Sequence, residues 1–195
     1  MLCPTSGILT QHPRLWPLFS PMQVRDMQPL FPVTPALLEQ LDAGMAHLLT
    51  LLVAPAGSGK SALLRCWAAT RNWPVAWVAL QTGDNDLACL VRHLVTASEV
   101  LDPNMPFFPG SEAPAPQDSL TEWLNALAVM REDFALILDG YERIESPVAH
   151  QAVGRILDYP PPHLHLFIAS RAEPPLPLPR LRVRRQLLQV FKNRR

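Results

Sequence analysis

The chain has 195 residues, 48% of them hydrophobic and 17% charged, enough for one well-buried domain and too apolar for a disordered chain. No apolar run approaches the roughly 18 residues that span a bilayer, and the start, Met1-Leu2-Cys3-Pro4, lacks the basic flank and apolar centre of a secretion signal. A soluble, cytoplasmic protein with no membrane partner is expected. Formal net charge is zero but unevenly spread: positions 180–195 hold seven of the 17 bases and none of the 17 acids, leaving −7 on the rest.

Seven of the 22 prolines fall within 4–35, five within 103–116, three at 160–162 and four within 174–179. Proline lacks a donor and fixes φ, so these clusters mark irregular chain. Positions 1–33 read as an irregular Pro-rich lead-in, 34–190 as the folded domain and 191–195 as a basic tail, with 102–117 a long surface loop. Thr34-Pro35 opens a helix, hydroxyl cap then proline, whose face carries Leu37, Leu38, Leu41 and Met45. Leu48 to Val53 is a buried strand, Ser61 to Thr70 a helix, and Val75 to Leu80 a second strand.

Asp84-Asn85-Asp86 caps a helix carrying Leu87, Leu90, Val91, Leu94 and Val95, with Leu101 as a further candidate. Ser119 opens another, Glu122 completing a capping box. Phe134 to Leu138 is a third strand, 147–157 a helix and Leu164 to Ala169 a fourth strand. Gln186 to Val190 is a fifth, with the basic residues from 180 onward belonging to it and its exit. Strands separated by helices imply parallel β-α-β units and a three-layer α/β domain. Three scattered cysteines (3, 66, 89) make neither a disulfide framework nor a metal knuckle; Cys66 and Cys89 read as small core residues on helices.

Ala54-Pro55-Ala56-Gly57-Ser58-Gly59-Lys60-Ser61 is a P-loop with alanine in the first glycine position. Gly57 and Gly59 let successive amides face one anion, and the next helix aims its partly positive N-terminus there. Ala56, Gly57, Ser58, Gly59, Lys60, Ser61 and Ala62 are the candidate phosphate-binding residues. Lys60 adds charge near the β- and γ-phosphates of ATP, and the Ser61 hydroxyl is a candidate ligand for Mg²⁺.

The run Phe134-Ala135-Leu136-Ile137-Leu138-Asp139 has the Walker B form, and Asp139 is the second candidate Mg²⁺ ligand. Relatives that hydrolyse nucleotide usually carry a second acid next, to orient water; here Gly140 follows. Glu142, two positions on, is the candidate catalytic base, although a displaced carboxylate seldom keeps productive geometry. At most slow hydrolysis is expected. The fourth strand runs into Ser170-Arg171, where Arg171 is placed to tell ATP from ADP. Histidines at 12, 47, 93 and 150 have no partner visible in the sequence.

The run Leu51 to Leu64 with Trp67-Ala68-Ala69, then Val75-Ala76-Trp77-Val78-Ala79-Leu80, Gly83-Asp84-Asn85-Asp86, Ile137-Leu138-Asp139-Gly140-Tyr141, Ala169-Ser170-Arg171 and the Pro174–Arg184 stretch resembles one family. That family is the large ATP-dependent LuxR-type transcriptional activators, through their nucleotide-binding module. The resemblance covers roughly 28–190. It implies a P-loop NTPase of the STAND type with a sheet ordered 5-1-4-3-2, ATP and an inducer driving self-association, and a separate DNA-binding domain. It carries Lys60 and Ser61 to phosphate and magnesium, Asp139 to magnesium and Arg171 to nucleotide sensing. Gly140 replaces the family's second aspartate, Val33-Thr34 stands where an arginine is usual, and the family's later domains do not follow Val190, as in a truncated relative.

The leading expectation is therefore an ATP/Mg²⁺-binding switch module acting through self-association or a partner regulator chain. Direct DNA binding by this chain is not expected, since no recognition-helix pattern is present. The alternatives are a P-loop ATPase or phosphotransferase using Glu142 or Asp84 as base, and a gene-fragment product that binds nothing.

Overall fold

A computed structural model describes residues 34–71, 73–102 and 115–190. The apolar runs form one sheet from β1 (Leu49–Val53), β2 (Val75–Ala79), β3 (Phe134–Asp139), β4 (Leu164–Ser170) and β5 (Leu187–Val190). All neighbours are parallel and the order is β2-β3-β4-β1-β5, the expected 5-1-4-3-2 seen from the other edge. β1, β3 and β4 lie inside the sheet and are almost wholly buried, so their sequences are apolar without alternation.

Helices cover both faces. On one, Leu41 of α1 (Pro35–Gly44) and Leu63, Leu64 and Trp67 of α2 (Lys60–Thr70) pack on Leu52, Ala135, Ile137 and Phe167. On the other, α3 (Leu87–Ser98), α4 (Pro116–Ala128) and α5 (Pro147–Asp158) supply Leu90, Leu94, Trp123, Leu127, Val153 and Ile156 to a larger core with Leu51, Leu136 and Ile168. Trp67 packs on Phe167 with ring centroids 4.8 Å apart. Its indole N–H donates to Asp42 Oδ1 at 2.8 Å, and Arg71 donates to the same carboxylate at 2.7 and 2.9 Å. This triad ties α1 to α2. Gly44 lets α1 close on the sheet, since a Cβ there would lie 2.5 Å from Thr50 Oγ1 and 2.9 Å from the Phe167 ring.

Several local expectations need correction. Pro35 opens α1, yet the Thr34 side chain makes no cap bond. The fourth helix starts at Pro116 with Ala115 before it, so Ser119 lies inside α4 and forms no capping box. A proline at the first helical position is preorganised and sets the start without a hydroxyl. The basic stretch is no strand: α6 (Leu178–Val183) carries Arg180 and Arg182. Pro179 sits in its first turn, where a missing N–H costs nothing, and Leu178 and Leu181, three apart, are its buried side. Val183, on the opposite side of this helix, is 85% exposed. Cys66 and Cys89 are on helices as expected but are half-buried. Asp86 does cap α3, accepting from Cys89 N at 3.0 Å. The lead-in at 1–33, the tail at 191–195 and positions 103–114 of the long loop lie outside the described residues. Among those described, no helix is long and apolar enough to cross a membrane.

Candidate functional site

β1 ends at Val53, and the chain turns through Ala54–Gly59 into α2. Gly57 and Gly59 have φ of +75° and +81°, the left-handed values that bend the loop back on itself. A Cβ at Gly57 would meet nothing within 4 Å, so backbone conformation and not crowding requires glycine there. Gly59 precedes α2 with no side-chain cap, and the amides of Lys60, Ser61 and Ala62 fall in the first turn, where no intrahelical acceptor exists. A loop of this shape aims several N–H groups and a helix N-terminus at one anion-sized position.

Lys60 is buried, at 9% exposure. Its ammonium donates to the carbonyls of Ala54 at 2.6 Å and Pro55 at 2.9 Å and lies 3.3 Å from Ser58 Oγ. Burial pushes its pKa below the usual lysine value; Arg171 pushes the same way, while Glu142 and Asp139 oppose it. The four charges are therefore mutual neighbours, although 111 positions separate the first from the last.

Asp139 ends β3 in register with Ala169 of β4 and Ala79 of β2. The Ser61 hydroxyl donates to Asp139 Oδ1 at 2.7 Å across 78 residues of sequence. A serine oxygen and a carboxylate oxygen so close suit one small divalent cation between them. Among the described residues no group of three or more His, Cys, Asp or Glu could hold a metal. The pair would thus leave most positions to ligand phosphates and water, the usual habit of Mg²⁺.

Beyond Asp139 the chain turns at Gly140, φ +82°, and its amide donates to Ala169 O at 3.1 Å. A 3-10 turn over Tyr141–Arg143 follows. It carries Glu142 to the end of β4, where Oε1 lies 2.9 Å from Arg171 Nε and Oε2 accepts from the Arg171 backbone N at 3.2 Å. The Lys60, Ser61, Asp139, Glu142 and Arg171 side chains thus converge at the carboxyl ends of β1, β3 and β4.

No family model matches the chain. It is 32% identical over 166 residues to the HTH-type transcriptional regulator MalT of Cronobacter sakazakii, and 32% identical over 161 residues to MalT of Klebsiella pneumoniae. Over these residues the chain is homologous to MalT. The matches take in 79% of this chain and 18% of each regulator, so the chain spans about a fifth of the length of the curated relatives it matches. Among solved structures, Cdc6p of Pyrobaculum aerophilum aligns with a TM-score of 0.59 at 14% identity. The Orc1 protein of Aeropyrum pernix, solved in complex with DNA, aligns at 0.53 and 15%; each match covers 87% of this chain and 47% of the other. At such identities they show the fold alone, the five-stranded parallel P-loop sheet described above.

Other residues around this cluster find partners that the sequence does not mark. Arg143 Nη1 donates to Leu80 O at 2.9 Å and, with Ala79, Gln81, Thr82 and Gly83, lines an open cavity of about 460 Å³ at the end of β2. Asn85 donates to Arg143 O and accepts from the amides of Glu145 and Ser146, clamping the turn after β3 to the start of α3. Asp84 is fully buried, with Oδ2 accepting from Gln81 N and Oδ1 2.7 Å from His93 Nδ1, so it is committed to structure. His150 likewise has a partner, the Tyr141 hydroxyl at 3.1 Å. Nothing in the local sequence marks these pairs, since each joins separate elements.

Proposed function

We propose that this chain is an ATP/Mg²⁺-binding switch module of MalT-like transcription regulation, in which nucleotide selects a conformation or assembly state. The observation that carries it is the 2.7 Å bond from Ser61 to Asp139 beside the buried Lys60 ammonium. The loop amides of Ala56 to Ala62 and Lys60 take the phosphates, Ser61 and Asp139 take the cation, and Arg171 reads the terminal phosphate. Homology to MalT supports a regulatory output over a metabolic one. Both carboxylate oxygens of Glu142 are engaged by Arg171, so no free base faces a water, which favours slow turnover at most. The output is self-association or docking on a partner regulator chain in the cytoplasm, without direct DNA contact by this chain.

Thermal unfolding of the chain with Mg-ATP, Mg-ADP and ATP plus chelator tests this. A ligand at about a hundred times its dissociation constant adds about 2.7 kcal/mol. Stabilisation that needs the metal and disappears in K60A is expected; a melting curve indifferent to millimolar Mg-ATP overturns the reading. Sedimentation with and without Mg-ATP reads the assembly state.

A further inference from the structure

The missing second acid and the displaced carboxylate are two sides of one arrangement. Gly140 takes a left-handed turn at the end of β3, and a side chain there would collide with Arg143 Nη1. That turn bends the chain toward β4, where Glu142 meets Arg171 twice. One oxygen takes the side chain at Nε, the other the backbone amide. A carboxylate gripping both ends of one residue restrains its backbone and its first guanidinium nitrogen together. The Arg171 side chain is nevertheless 57% exposed, and among the described residues its two terminal nitrogens have no hydrogen-bond partner, whereas Glu142 is only 20% exposed. The exposed end of the guanidinium is the end that can meet a phosphate.

We infer that Glu142 is a positioning residue: it holds Arg171 by Nε and backbone so that the terminal nitrogens face the last phosphate of a bound nucleoside triphosphate. The inference rests on the nucleotide-binding reading above. It gives Glu142 a role in discriminating triphosphate from diphosphate in place of activating water. Preorganising an exposed arginine removes part of the entropy cost of ordering it on the ligand. Because the pair is partly solvated, its worth is that of a surface ion pair, about two- to five-fold in a binding constant.

Calorimetric titration with Mg-ATP and Mg-ADP tests it on the wild-type chain and on E142A, E142Q, R171A and E142A/R171A. E142A is expected to reduce the preference for ATP over ADP by about two- to five-fold. E142Q, which keeps an oxygen for Nε, retains most of that preference, and the double variant is no worse than R171A alone. An unchanged or increased preference in E142A overturns the inference, the increase marking Glu142 as a competitor of the phosphate. Additive losses in the double variant overturn it too, since Glu142 would then act without Arg171. If the wild type binds neither nucleotide, the reading beneath it falls as well, and that outcome is visible before any variant is made.

Discussion

Ser61, in the first turn of α2, and Asp139, the last residue of β3, are joined by a 2.7 Å hydrogen bond that spans 78 positions of sequence. It couples the loop after β1 to the end of β3, two places away in the sheet. Removing one partner of a hydrogen bond to a charged group costs about 1.5–3 kcal/mol. S61A and D139N are each expected to weaken Mg-ATP binding by about ten- to a hundred-fold. Nucleotide affinity measured with and without chelator checks this: the variants should lose the difference that metal makes, and an undiminished metal effect would remove the pair from the cation site.

Restoring the absent acid at position 140 should not restore hydrolysis. Gly140 holds φ +82°, and any side chain would displace Arg143 from Leu80 O. Strain of this kind costs about 1–3 kcal/mol. G140D is expected to lose that much stability in urea unfolding with no rise in phosphate release. A stable G140D that turns over ATP faster than wild type would contradict this.

Asp42 anchors α1 to α2 through a fully buried indole. D42A leaves the Trp67 N–H without its acceptor, at a cost of about 1–3 kcal/mol. The hydrogen bond from Arg71, against some desolvation, holds the Asp42 carboxyl below its ordinary value of 3.8. The depressed folded-state pKa means that this contribution is fully present above pH 3.8 and disappears as pH falls through the lowered value. Unfolding free energy followed from pH 7 to pH 3 should therefore drop more in wild type than in D42N; parallel curves would refute the assignment.

Arg185, two residues past the end of α6, has φ +57°, left-handed and not glycine, while the Gln186 amide donates back to Leu181 O at 2.9 Å. Glycine suits this position after a helix. A side chain in this conformation costs about 1–2 kcal/mol and glycine's extra backbone entropy offsets about 0.5–1, so R185G is expected to gain about 0.5–1 kcal/mol in thermal unfolding. A loss would show that the Arg185 side chain makes a contact worth more than the strain.

Much of the fold was legible because buried parallel strands and amphipathic helices write their periods directly into sequence. The run Phe134 to Asp139 and the loop from Ala54 to Ser61 announce themselves in that way. Local chemistry at chain turns is less legible. Pro179 suggested irregular chain, and alternating Leu181 and Val183 suggested a strand, yet a first-turn proline is compatible with a helix and only Leu181 is buried. Ser119 and Glu122 had the spacing of a capping box but sit one turn inside α4, because Pro116 had already set its start.

By itself the sequence determined the strand–helix alternation and the glycine-bent loop from Ala54 to Ser61, and made Lys60, Ser61, Asp139 and Arg171 candidates, since each depends on residue type within a short window. The tertiary structure alone decided that Glu142 turns to Arg171, that Asp42 receives the Trp67 indole and that Asp84 faces His93. These pairs join residues 9 to 29 positions apart on separate elements, and their geometry follows from how those elements pack. A carboxylate is chemically the same in every window; what it does depends on the neighbour the fold delivers.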